Sequence, residues 1–275
     1  MNSFEIALTS FLTKTAWAME KPTAYGAFHL CFMIIGFFAC GFFAWKLRNV
    51  GEKGNRRILL SIGLFLVLSE VYKQLFYTYV TGGGSYQWWI FPFQLCSIPM
   101  YFCLILPVLR QGRVKKAMYT FLMTFNFLGG LISFFEPSGL FHEYWTLTLH
   151  ALLWHMTLVF LGLYVFLSKR GGTDKKDFLG AVAVFLGLCV TAFCINCIFW
   201  QVAQGDINMF YVGPRISPLA VFKGIAQAYG WYACTALYIP VLCVGAFMIR
   251  SAFCLVGSII GKQTAKKQEK EKSLV

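Results

Sequence analysis

Trp88 to Pro107 reads Trp-Trp-Ile-Phe-Pro-Phe-Gln-Leu-Cys-Ser-Ile-Pro-Met-Tyr-Phe-Cys-Leu-Ile-Leu-Pro. The run is apolar and long enough to cross a bilayer, for which about 20 residues suffice. It nevertheless carries Gln94, Cys96 and Ser97 between Pro92 and Pro99. Proline lacks an amide hydrogen and clashes with the carbonyl four residues back, so Pro99 is expected to kink a helix here and free the Leu95 carbonyl. A helix beginning at Pro92 places Cys96 just past its first turn, where the positive end of the dipole favours a thiolate. The plainer reading is a kinked core helix with a buried cysteine.

Composition agrees with a membrane chain. Of 275 residues, 58% are hydrophobic and 13% charged, the balance of a polytopic membrane protein. The ten cysteines fall almost entirely inside apolar runs, which excludes a secreted disulfide framework. Cys194 and Cys197 form a CxxC inside an apolar run without further Cys or His partners at matching spacing, so no metal or other cofactor is expected. The net charge of +13 lies in short clusters between apolar spans, a pattern of membrane topology rather than of nucleic-acid binding.

Residues 1–24 mix Phe4, Ile6, Phe11 and Trp17 with polar neighbours and read as an interfacial amphipathic segment rather than a cleaved leader. Seven spans follow, near 27–45, 58–80, 88–109, 117–135, 144–167, 178–202 and 230–253, within a transmembrane domain at 25–257, and a basic tail occupies 258–275. The first-to-second, third-to-fourth and fifth-to-sixth connections and the tail hold nineteen Lys and Arg. The opposite side holds four, Lys14, Lys21, Arg215 and Lys223. The expected architecture is an all-α seven-helix bundle in the cell membrane, amino terminus outside and carboxyl terminus inside. The tail then meets anionic lipid heads.

Polar groups within spans are unfavourable and therefore informative. Glu70, Lys73 and Gln74 share one helical face. The fourth span supplies Asn126, the fifth His150 and His155, and the sixth Asn196. Counted along the helices, these groups and Cys96 share a layer roughly 9–16 Å below the outer surface. That convergence predicts an outward-facing polar cavity. A thiol and an imidazole at one depth point to nucleophilic catalysis on an ester or thioester carbonyl, with Gln94, Asn126 or Asn196 donating to an oxyanion. Depth does not choose between His150 and His155, and it does not give the oligomeric state.

The segment Gln94-Leu95-Cys96-Ser97 after Pro92 resembles the Pro-x-His/Gln-x-Cys-Ser segment of bacterial YwaF-type integral membrane proteins, which are similar to the eukaryotic transmembrane protein 164 acyltransferases. Leu68-Ser69-Glu70-Val71-Tyr72-Lys73-Gln74, Leu149-His150 with Trp154-His155, and Ile207-Asn208-Met209-Phe210-Tyr211 followed by Gly230-Trp231 carry the same resemblance. It implies a seven-helix fold and phospholipid acyl transfer through a cysteine, with Cys96 as nucleophile and a fifth-span histidine, by preference His155, as base. Glu70, Lys73, Gln74, Gln94, Asn126, Asn196, Asn208 and Tyr211 become the expected substrate-binding set, and membrane phospholipids the partners. Gln94 stands where many relatives carry histidine, and glutamine cannot act as a base. The rival reading is a lipid or small-molecule transporter or receptor built on Glu70, Lys73 and the histidines.

Overall fold

The computed structural model describes residues 2–272, which are helical throughout apart from turns and one isolated antiparallel bridge between Ala18 and Tyr144. Helix α1 (Ser3–Thr13) opens on a capping box in which Asn2 and Glu5 satisfy each other's backbone amides. Phe4, Ile6 and Phe11 of α1, with Trp17 beyond it, remain exposed. Six helical spans are long and apolar enough to cross a membrane: α2 (Ala27–Leu47), α3 (Glu52–Phe76) with a π turn to Thr81, α5 (Arg113–Phe121) joined by a π turn to α6 (Phe127–Phe135), α7 (Trp145–Leu167), α8 (Lys175–Phe199), and α10 (Trp231–Lys272) to Ile259. Helix α4 (Ile98–Ile105) and α9 (Ala220–Tyr229) are short.

The expected span over 88–109 is not one helix. Trp88–Ile90 forms a short turn, Phe91 and Gln94 are extended, and Leu95–Ser97 forms a second turn that leads into α4. Phe91 precedes Pro92, whose ring excludes helical backbone at that position. Pro99 sits in the first turn of α4, where it starts a helix rather than kinking one. The chain still runs along α3: Gln74 bonds the Ile90 carbonyl at one end, and a Cβ on Gly63 would lie 2.7 Å from Leu104 further along.

The α5–α6 unit and α7 form the centre, with 67% and 56% of their apolar windows buried against 17% for α2 and for α10. Gly162 admits Phe127 so closely that a Cβ would meet its ring at 2.5 Å, and Gly130 sits against Leu158 in the same way. Between these contacts the π turn Leu122–Asn126 directs Asn126 to both the Leu122 and Leu158 carbonyls, each at 3.0 Å. The outer helices present Ile34, Ile35, Phe38, Val190, Ile198, Val244 and Met248 outward, as lipid-facing surfaces require. The amino-terminal segment docks on one end of the bundle, where Met19 and Trp145 exchange backbone bonds with Glu143 and Trp17. The basic tail is helical as far as Lys272, and residues 273–275 lie outside the described residues.

Candidate active site

The expected single layer resolves into two groups. The first gathers around Lys73. Its ammonium lies 2.8 Å from Glu70 Oε1, and the Gln74 amide donates to that same oxygen at 2.6 Å. Glu70 is 4% exposed, and its second oxygen has no hydrogen-bond partner. Breaking such a pair by removing one member costs about 3–5 kcal/mol, because the other charge is left buried and uncompensated. Cys96 lies within electrostatic reach of both Lys73 and Glu70. So do His150 and His155 with respect to Lys73.

Helix α7 positions Cys96 from the other side. Trp154, 3% exposed, donates its indole N–H to the Cys96 carbonyl at 2.9 Å, and its ring packs with Met100, Leu66 and Leu158 against the cysteine. Tyr101 donates to the Pro92 carbonyl at 2.6 Å and so closes the turn that carries Cys96. On α7, His150 lies one turn before Trp154 and His155 directly follows it. His155 Nδ1 faces the Ala151 carbonyl at 2.8 Å, which fixes the proton on Nδ1 and leaves Nε2 as the acceptor. His150 Nδ1 instead meets the Ser69 hydroxyl at 2.6 Å. Neither ring is hydrogen-bonded to the Cys96 thiol.

His142, in the connection before α7, also lies within reach of Lys73. Burial pushes its imidazole down to about 4, and Lys21 and Lys73 add to that effect. It is therefore neutral at neutral pH and accepts or donates at Tyr77.

The second group is made of amides and holds a loop. Gln94 donates to the Asn208 carbonyl at 3.0 Å and accepts from the Phe210 amide at 2.9 Å. Asn196 donates to the Met209 carbonyl at 3.1 Å and accepts from the Met209 amide at 2.6 Å. Asn208 continues the pattern, donating to Arg215 and accepting from Gly213. These bonds hold Phe210 and Tyr211 at φ of 53° and 55°, left-handed backbone that bulky residues rarely adopt. Gly213 is required beside them, since a Cβ there would come within 2.7 Å of the Asn196 amide. The loop inserts Phe210, fully buried, near Phe93 and Phe185. Tyr211 bridges the two groups: it is within electrostatic reach of Cys96, and burial pushes its phenol up to about 12.

The three amides expected to serve an oxyanion are thus bonded to backbone. Gln94 and Asn196 clamp the loop, and both Asn126 bonds stay within the α5–α6 and α7 core. The polar groups around Lys73 bond one another, and the hollows of the surface lie elsewhere, an open one along α1 and one of about 520 Å³ among the basic connections. Ser69, Tyr101 and Trp154 belong to the site beyond the expected set. Ser69 and Trp154 stand in the segments that carry the family resemblance, beside Glu70 and His155, without themselves being read as site residues.

The model of the TMEM164 family matches residues 24–249 of the chain. No curated protein and no solved structure matches.

Proposed function

The chain belongs to the TMEM164 family, and on that premise we propose that it is a cell-membrane acyltransferase that moves a fatty acyl group between phospholipids through a thioester on Cys96. The observation that carries this reading is the setting of Cys96. Its carbonyl is fixed by Trp154, and the half-buried Lys73 ammonium and the buried Glu70 carboxylate lie within electrostatic reach of it. Cys40 and Cys103 are packed in the core instead, while Cys194 and Cys197 lie on an exposed apolar face.

His155 Nε2 takes the thiol proton, and the sulfur attacks the ester carbonyl of the donor lipid. Lys73 and the Cys96 amide face the oxygen that gains charge. The ester C–O bond breaks, and the departing lysophospholipid oxygen receives the proton from His155. An acceptor hydroxyl then gives its proton to His155 and attacks the thioester carbonyl. The C–S bond breaks, and the sulfur leaves as a thiolate that takes the proton back. Topologically, the segment through α4 serves as a seventh crossing, with the amino terminus outside and Cys96 at outer-leaflet depth.

A second reading is favoured by one observation: Glu70 Oε2 and Gln74 Oε1, on one face of α3, are buried acceptors without partners. They fit a proton or substrate site of a transporter or receptor. Intact mass of the protein from its native membrane, with and without neutral hydroxylamine, separates the two. Acyl transfer gives a hydroxylamine-labile acyl mass that disappears in Cys96→Ala. No adduct after supply of phospholipid, with Cys96→Ser functional and Glu70→Gln inactive, selects the transporter reading.

A further inference from the structure

The end of the bundle opposite Cys96 gathers three connections. Arg170, beyond α7, bonds the Glu52 carboxylate at the start of α3 and donates to the Val50 carbonyl at 2.9 Å. Lys116 donates to the Gly171 carbonyl at 3.1 Å, and Lys115 to the Leu109 carbonyl at 3.0 Å. Among these groups lies the cavity of about 520 Å³, a volume suited to a small ligand.

Its charge is one-sided. Lys115, Lys116, Lys169 and Arg170 line it with a single carboxylate, Glu52, which Arg170 already engages. Lys115 is only 7% exposed, yet one carbonyl uses just one of its three donors. Among the described residues neither Lys115 nor Lys116 takes part in an ion pair within 4 Å, and Lys116 has Asp177 within electrostatic reach beyond the cavity wall. Arg170 Nε has no hydrogen-bond partner of its own, although Tyr164 also faces the guanidinium. Tyr119 accepts from Asn55 at 2.8 Å, which leaves its own O–H to donate. Gly112, also on the cavity wall, begins α5 without a side-chain cap, so the first-turn amides add positive potential. A nearly buried ammonium with unused donors is unfavourable unless an anion completes it.

We propose that this cavity binds a phosphate group, carried by an anionic phospholipid head or by a soluble phosphate compound. The site is separate from Cys96, since Glu52 opens α3 and Glu70 lies about five turns further along it. Phosphate oxygens suit multidentate donation from lysine, arginine and helix amides together.

Native mass spectrometry of the full chain in neutral detergent tests this with phosphatidylglycerol, phosphatidylcholine and glycerol 3-phosphate as probes. Phosphatidylglycerol is expected to leave one retained copy where phosphatidylcholine leaves none. Lys116→Gln, which keeps a donor for Gly171, should weaken retention about tenfold, as loss of one charge-assisted contact predicts. Adding Lys115→Gln should weaken it further. If the double variant does not fold, Lys116→Gln alone decides. Displacement of the lipid by glycerol 3-phosphate, or direct binding of that compound, assigns the soluble source. Retention in its presence assigns the lipid head. Equal retention of both lipids with no glycerol 3-phosphate bound, or unchanged affinity in folded Lys116→Gln, overturns the proposal.

Discussion

Trp154 holds Cys96 by its main chain and leaves the thiol uncommitted to it, which is how a positioning residue should act. Trp154→Phe keeps the ring in the cluster with Met100 and Leu66 but removes the donor to the Cys96 carbonyl. Leaving such a group unpaired costs about 1–3 kcal/mol. The expected outcome is thioester formation slowed about tenfold or more, measured by intact mass against time, at a melting temperature that keeps the variant folded. An unchanged rate would remove Trp154 from the mechanism. Gln94 is a different kind of residue. Its amide supplies one donor and one acceptor to backbone two residues apart, so its polarity serves the loop rather than the reaction. The sequence shows that Gln94 lies two residues from Cys96, and proximity made it look like chemistry. Which way an amide points depends on a partner more than a hundred residues away, and no local pattern carries that.

At the scale of elements, hydropathy locates six spans because each is continuously helical over a sufficient length. It marks the third apolar run but misjudges its form. Two prolines, one glutamine and the partner backbone at Asn208–Phe210 together favour extended chain over helix between Phe91 and Gln94. The π turn at Leu122–Asn126 leaves no trace in apolar periodicity either, although Asn126 itself was legible as a polar residue out of place. The loop after α8 was legible as long, but its inward-pointing Phe210 was not, because a phenylalanine in a loop reads the same whether it faces core or lipid. Asn196→Leu should unpair both the amide and the carbonyl of Met209. The cost is about 1–3 kcal/mol for each buried group. The thermal midpoint should fall, and cleavage within residues 203–219 should rise under limited proteolysis. Gln94→Leu should behave alike, and the double variant should lose less than the sum, since both changes release one loop. Strict additivity would mean that the two clamps act independently.

For the whole molecule, the contacts at the basic end join the α2–α3, α4–α5 and α7–α8 connections in one place, in keeping with the one-sided distribution of lysine and arginine. A single cysteine placed at Ser85 in a cysteine-free chain should react with an impermeant maleimide added to intact cells. One placed at Gln111 should react only after the membrane is opened. The reverse pattern inverts the orientation, and labelling of both from outside contradicts the crossing assigned to the segment through α4. The clamp on Phe210 bears on time rather than on place. Its ring is fully buried, the Met209 backbone beside it is held to α8 by Asn196, and its own amide is held to the Cys96 segment by Gln94. The loop therefore cannot flicker like a free flap on the nanosecond scale. Under the proposed acyl transfer, turnover at Cys96 should be paced by collective motion of the helices, in microseconds or longer, and stiffening the bilayer should slow it.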